Sequence, residues 1–134
     1  MPAAVLMKIW KLSNSENVYL MMYPEHAALI DAAARTATDE MKRRFGKHDH
    51  NGPGDAFRHC FWSAILCREI GYNSALRYTL AHEDFPENPP EENAMDMHNN
   101  AVGLRIGRIP TSNLLLGQLC ISASRSGQLK TIKP

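Results

Sequence analysis

The sequence predicts an all-α domain of about five helices around one central buried helix, and three observations predict it. The segment Asp55 to Ile70 (DAFRHCFWSAILCREI) is apolar nearly all round, with Asn51-Gly52-Pro53-Gly54 before it and Gly71 after it. Elsewhere, apolar residues recur at helical spacing between proline, serine and glycine punctuation. The 134 residues suffice for a single domain with a core of its own.

In chain order, residues 1 to 22 alternate short apolar runs with Ser13-Asn14-Ser15-Glu16-Asn17, a pattern that predicts a small hairpin or packed arm. Residues 23 to 134 form the helical domain. Pro24 opens its first helix, which runs to about Phe45, with Ala28, Leu29, Ala32, Ala33, Thr36 and Met41 inward and Gly46 as its stop. The central helix follows: at ~100° per residue Phe57, Phe61, Ile65, Trp62 and Leu66 spread over one arc, while Ala56, Cys60, Ala64 and Cys67 form a strip of small side chains.

Asn73 or Ser74 caps the next helix, with Ala75, Leu76, Thr79 and Leu80 facing inward, and Pro86-Glu87-Asn88-Pro89-Pro90 stops it. Pro90 and Glu91-Glu92 open another, to about Arg108, in which Asp96, Asn100, Gly103 and Gly107 line up as a stripe where a neighbouring backbone can approach closely. The first turn of the central helix is expected to dock there. Thr111-Ser112 caps the last helix, Asn113 to about Ser126, with Leu114, Leu115, Gln118, Leu119 and Ile121 as its apolar set. Gly127 ends it, and residues 128 to 132 read as a short extended tail.

Fifteen basic against fourteen acidic side chains give no bulk charge for nucleic-acid binding. Cys60, Cys67 and Cys120 all sit in apolar runs and read as buried thiols of a reducing compartment. No run approaches the ~18 apolar residues of a membrane span, and the start lacks the features of a signal peptide. The expectation is a chain made in the cytoplasm that leaves it, if it does, by a dedicated route.

Chemistry concentrates on one set of polar side chains. Asp55, Arg58 and His59 lie in the first turns of a helix that must be buried, and burying them unpaired costs several kcal/mol. His82, Glu83, Asp96, Asn99 and Asn100 are expected to join them, with His48 or His50 from the loop before the central helix as further candidates. Three chemistries fit. In one, His59, His82 and a carboxylate from Asp55, Glu83 or Asp96 hold a divalent metal that activates water; the favoured ligand set is His59, His82 and Asp96. In another, His59 is a metal-free acid or base oriented by Asp55 or Asp96, and Arg58 with Asn99 or Asn100 stabilises an anionic transition state. In the third, the network only specifies packing, and the protein binds a partner.

Asp55-Ala56-Phe57-Arg58-His59-Cys60-Phe61-Trp62, then Ala81-His82-Glu83, then Met95-Asp96-Met97-His98-Asn99-Asn100-Ala101-Val102-Gly103 resemble the DAxRHxxW, AHE and MDxHNNxxG pattern of an uncharacterised helical bacterial domain. That family is found at the C-termini of Rhs-type and other polymorphic-toxin and secretion-associated proteins. Met97 departs from its usual leucine. The resemblance covers roughly residues 50 to 130. It implies an antibacterial effector, secreted without a signal peptide, acting in a target cell and accompanied by a cognate immunity protein and a delivery protein. It also groups Asp55, Arg58, His59, His82, Glu83, Asp96, His98, Asn99 and Asn100. The resulting expectation is a toxin-type hydrolase of an envelope or phosphodiester substrate. His59, His82, Asp55, Glu83 and Asp96 would do the chemistry, and Arg58, His98, Asn99 and Asn100 would bind substrate. The alternative is a non-catalytic helical adaptor for an inhibitor or delivery protein.

Overall fold

The computed structural model describes residues 11–46 and 49–134, and among them the regular structure is entirely helical. Six α-helices follow in order: α1 (Asn14–Met22), α2 (Ala27–Phe45, entered through a 3-10 turn at Pro24–His26), α3 (Pro53–Ile70), α4 (Tyr72–His82), α5 (Pro90–Ile106) and α6 (Asn113–Arg125). No helix among these residues is long and apolar enough to cross a membrane.

The central helix is α3. Its residues from Gly54 to Cys67 are all buried except Arg58, and α2, α4, α5 and α6 all pack against it. Its strip of small residues meets the glycine stripe of α5. A Cβ placed on Gly103 would lie 2.1 Å from the Cys60 carbonyl oxygen, and one on Gly107 would lie 2.2 Å from that of Ala64. Both positions require hydrogen in place of a side chain, so the two helices run together at backbone contact. The expected docking of Asp96 and Asn100 beside the first turns of α3 follows from that crossing. All three cysteines are free and buried.

Four sequence expectations are corrected. The polar run at Ser13 to Asn17 is the start of helix α1, which excludes a hairpin turn there. Ser13 accepts the Glu16 N–H at 3.0 Å and Glu16 accepts the Ser13 N–H at 2.8 Å, a reciprocal cap. The apolar run before it, residues 1 to 10, lies outside the described residues. On α2 the buried face is Ala27, Ile30, Ala33, Ala34, Ala37 and Met41, so Ala28 and Ala32 point outward. In so alanine-rich a helix the face is chosen by what packs opposite it. On α6 the buried set is Leu116, Gly117, Cys120, Ile121 and Ala123, while Leu114 and Leu115 are exposed. Gly117 faces the Phe61 ring, and that close approach decides the rotation of the helix. Similarly, α4 buries Tyr78 with Ala75 and Thr79 and leaves Leu80 outside.

The chain after Gly127 folds back as an extended tail. Asn99 holds it with two hydrogen bonds to the backbone of Lys130, donating from Nδ2 to the carbonyl and accepting the N–H at Oδ1, both 2.8 Å. The N–H groups of Ile132 and Lys133 both reach the Asn51 carbonyl at 3.0 Å.

Candidate metal centre

The site is built where the N-terminal turns of α3 cross the first half of α5. Asn51 adopts a left-handed backbone (φ 66°), which asparagine tolerates better than most residues and which turns its N–H toward the helix that follows. Asp55, in the first turn of α3, accepts that N–H at Oδ2 (2.9 Å) and the Arg58 guanidinium at Oδ1 (2.8 Å). A carboxylate only 1% exposed thus has a donor on each oxygen and the positive end of the helix beside it. One turn on, His59 Nε2 stands 3.7 Å from Asp55 Oδ1 and 3.4 Å from Asp96 Oδ1 of α5. One ligand atom from each of Asp55, His59 and Asp96 lies within 4.8 Å of the others, close enough to share one cation. Two carboxylates and an imidazole are a donor set for a borderline divalent ion such as zinc or manganese.

The electrostatics of the cluster favour a cation. Burial, together with the negative charge of Glu83 and Asp55, pushes the Asp96 carboxyl up to about 8. Burial also drives His59 down to about 3, against the pull of Asp55. At neutral pH the metal-free cluster therefore holds a proton on Asp96, where negative potential is in excess. Asp96 Oδ1 is itself buried and has no hydrogen-bond donor among the described residues.

Around this triad the other expected residues take different places. His82 lies beside it, not within it. Its ring centroid is 6.3 Å from that of His59 and 4.9 Å from that of Trp62, and its Nδ1 is turned to Glu16 Oε2 at 3.0 Å. Of the expected ligand set His59, His82 and Asp96, the convergence holds His59 and Asp96, with Asp55 in the third place. Adjacent turns of α3 bring Asp55 and His59 together, whereas His82 ends a separate helix. Although burial pulls His82 down, the Glu16 carboxylate raises it above the ordinary histidine range. Glu83 caps the C-terminus of α4, accepts the Asn100 amide at 3.1 Å and is raised chiefly by burial.

The four residues expected to bind substrate have these partners. Arg58 holds Asp55. Asn100 spans the α3–α5 crossing, accepting from Ser63 at 3.0 Å and donating to Glu83. Asn99 secures the tail, and His98 lies on the exposed side of α5, where its Nε2 meets the Gln128 carbonyl at 2.8 Å. His50 reaches Glu92 at 3.2 Å from the rim. His48 lies outside the described residues.

Sequence reasoning missed Glu16. It is 1% exposed and accepts hydrogen bonds from the Ser13 N–H, from the Tyr78 hydroxyl at 2.6 Å and from His82. Burial would raise its pKa, but His82, Tyr78 and Ser13 together hold it below the ordinary carboxylate range. The one signal in the sequence was the Ser-x-x-Glu spacing from Ser13, which announces a helix start and says nothing of burial.

No solved structure matches this chain. The family model described as a domain of unknown function, DUF6973, matches residues 17–126, the whole of the α3, α4 and α5 cluster included. The chain belongs to the DUF6973 family.

Proposed function

We propose that the protein is a metal-assisted hydrolase of effector type, acting on an envelope or phosphodiester substrate. The observation that carries this reading is the convergence of Asp55, His59 and Asp96 ligand atoms within 4.8 Å at a helix crossing. A divalent ion held there would lower the pKa of a bound water and polarise the scissile group. The chain's own residues supply the remaining roles. Asp55, fixed by Asn51 and Arg58, orients the ligand edge of α3. Glu83, raised by burial and steadied by Asn100, and His82, raised by Glu16, are the groups placed to exchange protons with the reacting atoms. A shallow surface groove reaches Glu83 between Leu80 and Met97 and offers an approach for substrate. Secretion without a signal peptide, a delivery protein and a cognate inhibitor belong to the same proposal, supported by the motif resemblance.

The test is the metal content of protein purified without chelator or histidine tag, with turnover of a chromogenic phosphodiester measured alongside. Close to one equivalent of divalent metal is expected. Asp96→Asn and His59→Ala should lose it while remaining helical, and His82→Ala should keep the metal and lose turnover. A wild-type protein that neither carries a metal nor is stabilised by added zinc or manganese rules the reading out and favours the helical adaptor.

A further inference from the structure

The most informative group outside the ligand triad is the carboxylate of Glu16. A glutamate in the first turn of a helix ordinarily closes its cap at the surface, and that task needs one oxygen. Here Oε1 performs it, accepting the Ser13 N–H at 2.8 Å. Oε2 turns inward to α4, where the Tyr78 hydroxyl donates at 2.6 Å and His82 Nδ1 lies at 3.0 Å. The placement is reinforced from the other side of the cap, because the Ser13 hydroxyl donates to the Ala81 carbonyl at 2.5 Å and ties the start of α1 to the end of α4. Glu16 also stands one residue before the stretch matched by the family model.

A carboxylate only accepts, so the hydrogen between Glu16 and His82 must sit on Nδ1. The neutral ring is then the Nδ1–H tautomer, the form disfavoured by free histidine in water, and its lone pair is on Nε2, on the ring edge away from α1. The same ring neighbours Trp62 and His59. Carboxylates fix the tautomer and orientation of metal-bound histidines in this way, and removing one costs about 10- to 100-fold in affinity or activity; Glu16 makes the same contact to a histidine beside the ligands.

We propose that Glu16 is a positioning residue: it holds His82 through Nδ1 so that Nε2 is presented to the Asp55, His59 and Asp96 cluster as a proton acceptor. The proposal rests on the metal-centre reading for its functional consequence. The hydrogen-bond geometry that supports it is independent of any metal.

The experiment is a long-range proton–nitrogen correlation spectrum of the full chain labelled with nitrogen-15 in histidine, recorded without metal at alkaline pH, with His82→Ala used to assign the His82 signals. Wild type should show the pattern of an Nδ1–H ring for His82. Glu16→Gln should move it to the Nε2–H form or to a mixture, because the amide can donate to Nδ1. Tyr78→Phe removes a neighbouring donor while leaving the carboxylate, and should keep the Nδ1–H form. An Nε2–H pattern in wild type overturns the proposal by itself, whether or not the variants fold, and so does an unchanged pattern in Glu16→Gln. Under the hydrolase reading, Glu16→Gln should also lower kcat about tenfold or more with KM little changed. A wild type that binds no metal but shows the Nδ1–H ring sinks the metal-centre reading alone. A protein that binds metal but shows an Nε2–H ring sinks the role of Glu16 alone.

Discussion

Raising the pH from 6 to 8 should tighten metal binding steeply, because Asp96 must lose its proton before it can coordinate. With the carboxyl at about 8, roughly 1% of molecules carry the carboxylate at pH 6 and about half at pH 8. Apparent affinity should therefore rise about 50-fold over those two units, or about 2.3 kcal/mol, and level off above pH 9. His59 adds nothing to this slope, because burial keeps it neutral down to about 3. Titration calorimetry with manganese, in two buffers of different ionisation enthalpy, reads the same event directly. Close to 0.9 proton should be released per ion at pH 7, which is the protonated fraction of a group titrating at about 8. Asp96→Asn should abolish both the proton release and the pH slope, whatever affinity remains. Manganese affinity that is constant between pH 6 and 8, or binding that releases no proton, would refute the argument that Asp96 is held protonated at the heart of the site.

The same groups predict the alkaline stability of the chelator-treated protein. Between about pH 4 and 6.5 the native chain holds one proton on Asp96 while the unfolded chain holds one on His59, so the two contributions cancel. From about 6.5 to 8 these two groups leave a proton on the native state alone, and they should lower stability by about 1.4 kcal/mol per unit, about 2 kcal/mol in all, with the raised His82 adding to the fall. In urea denaturation the fall should be steeper in wild type than in Asp96→Asn, where only the share of the raised His82 remains; equal slopes would contradict the elevated Asp96. At the helix crossing, Gly103→Ala puts a Cβ 2.1 Å from the Cys60 carbonyl, which a backbone atom cannot evade as the end of a side chain can. The helices must part by about 1 Å, at a cost at or above the 1 to 3 kcal/mol typical of overpacking, and metal affinity should fall with it as Asp96 moves off His59. A variant within 0.5 kcal/mol of wild type by denaturant midpoint would show that the contact is looser than described.

The sequence by itself determined a good part of this. The buried central helix was legible because sixteen residues with almost no polar arc can only be interior. The α3–α5 docking was legible because Gly103 and Gly107 fall on one stripe with Asp96 and Asn100, and a stripe of small and polar residues has little use in open solvent. The gathering of Asp55, His59 and Asp96 followed from those two facts, since the pairing of helix faces fixes which side chains meet.

Only the tertiary structure decided the rest. Several rotations of α2 satisfy its alanine pattern, and the opposing surface chose among them. Leu114 and Leu115 look like core until Gly117 is seen against Phe61. His82 and Asn99 share a sequence neighbourhood with true cluster residues, yet a carboxylate on α1 claims the Nδ1 of one and the tail backbone claims the amide of the other. Those partners lie 66 and 31 residues away in the chain. Local periodicity specifies the face on which a side chain emerges. Which distant donor or acceptor meets it there is set by long-range packing, and that is why the sequence showed Glu16 only as part of a polar turn.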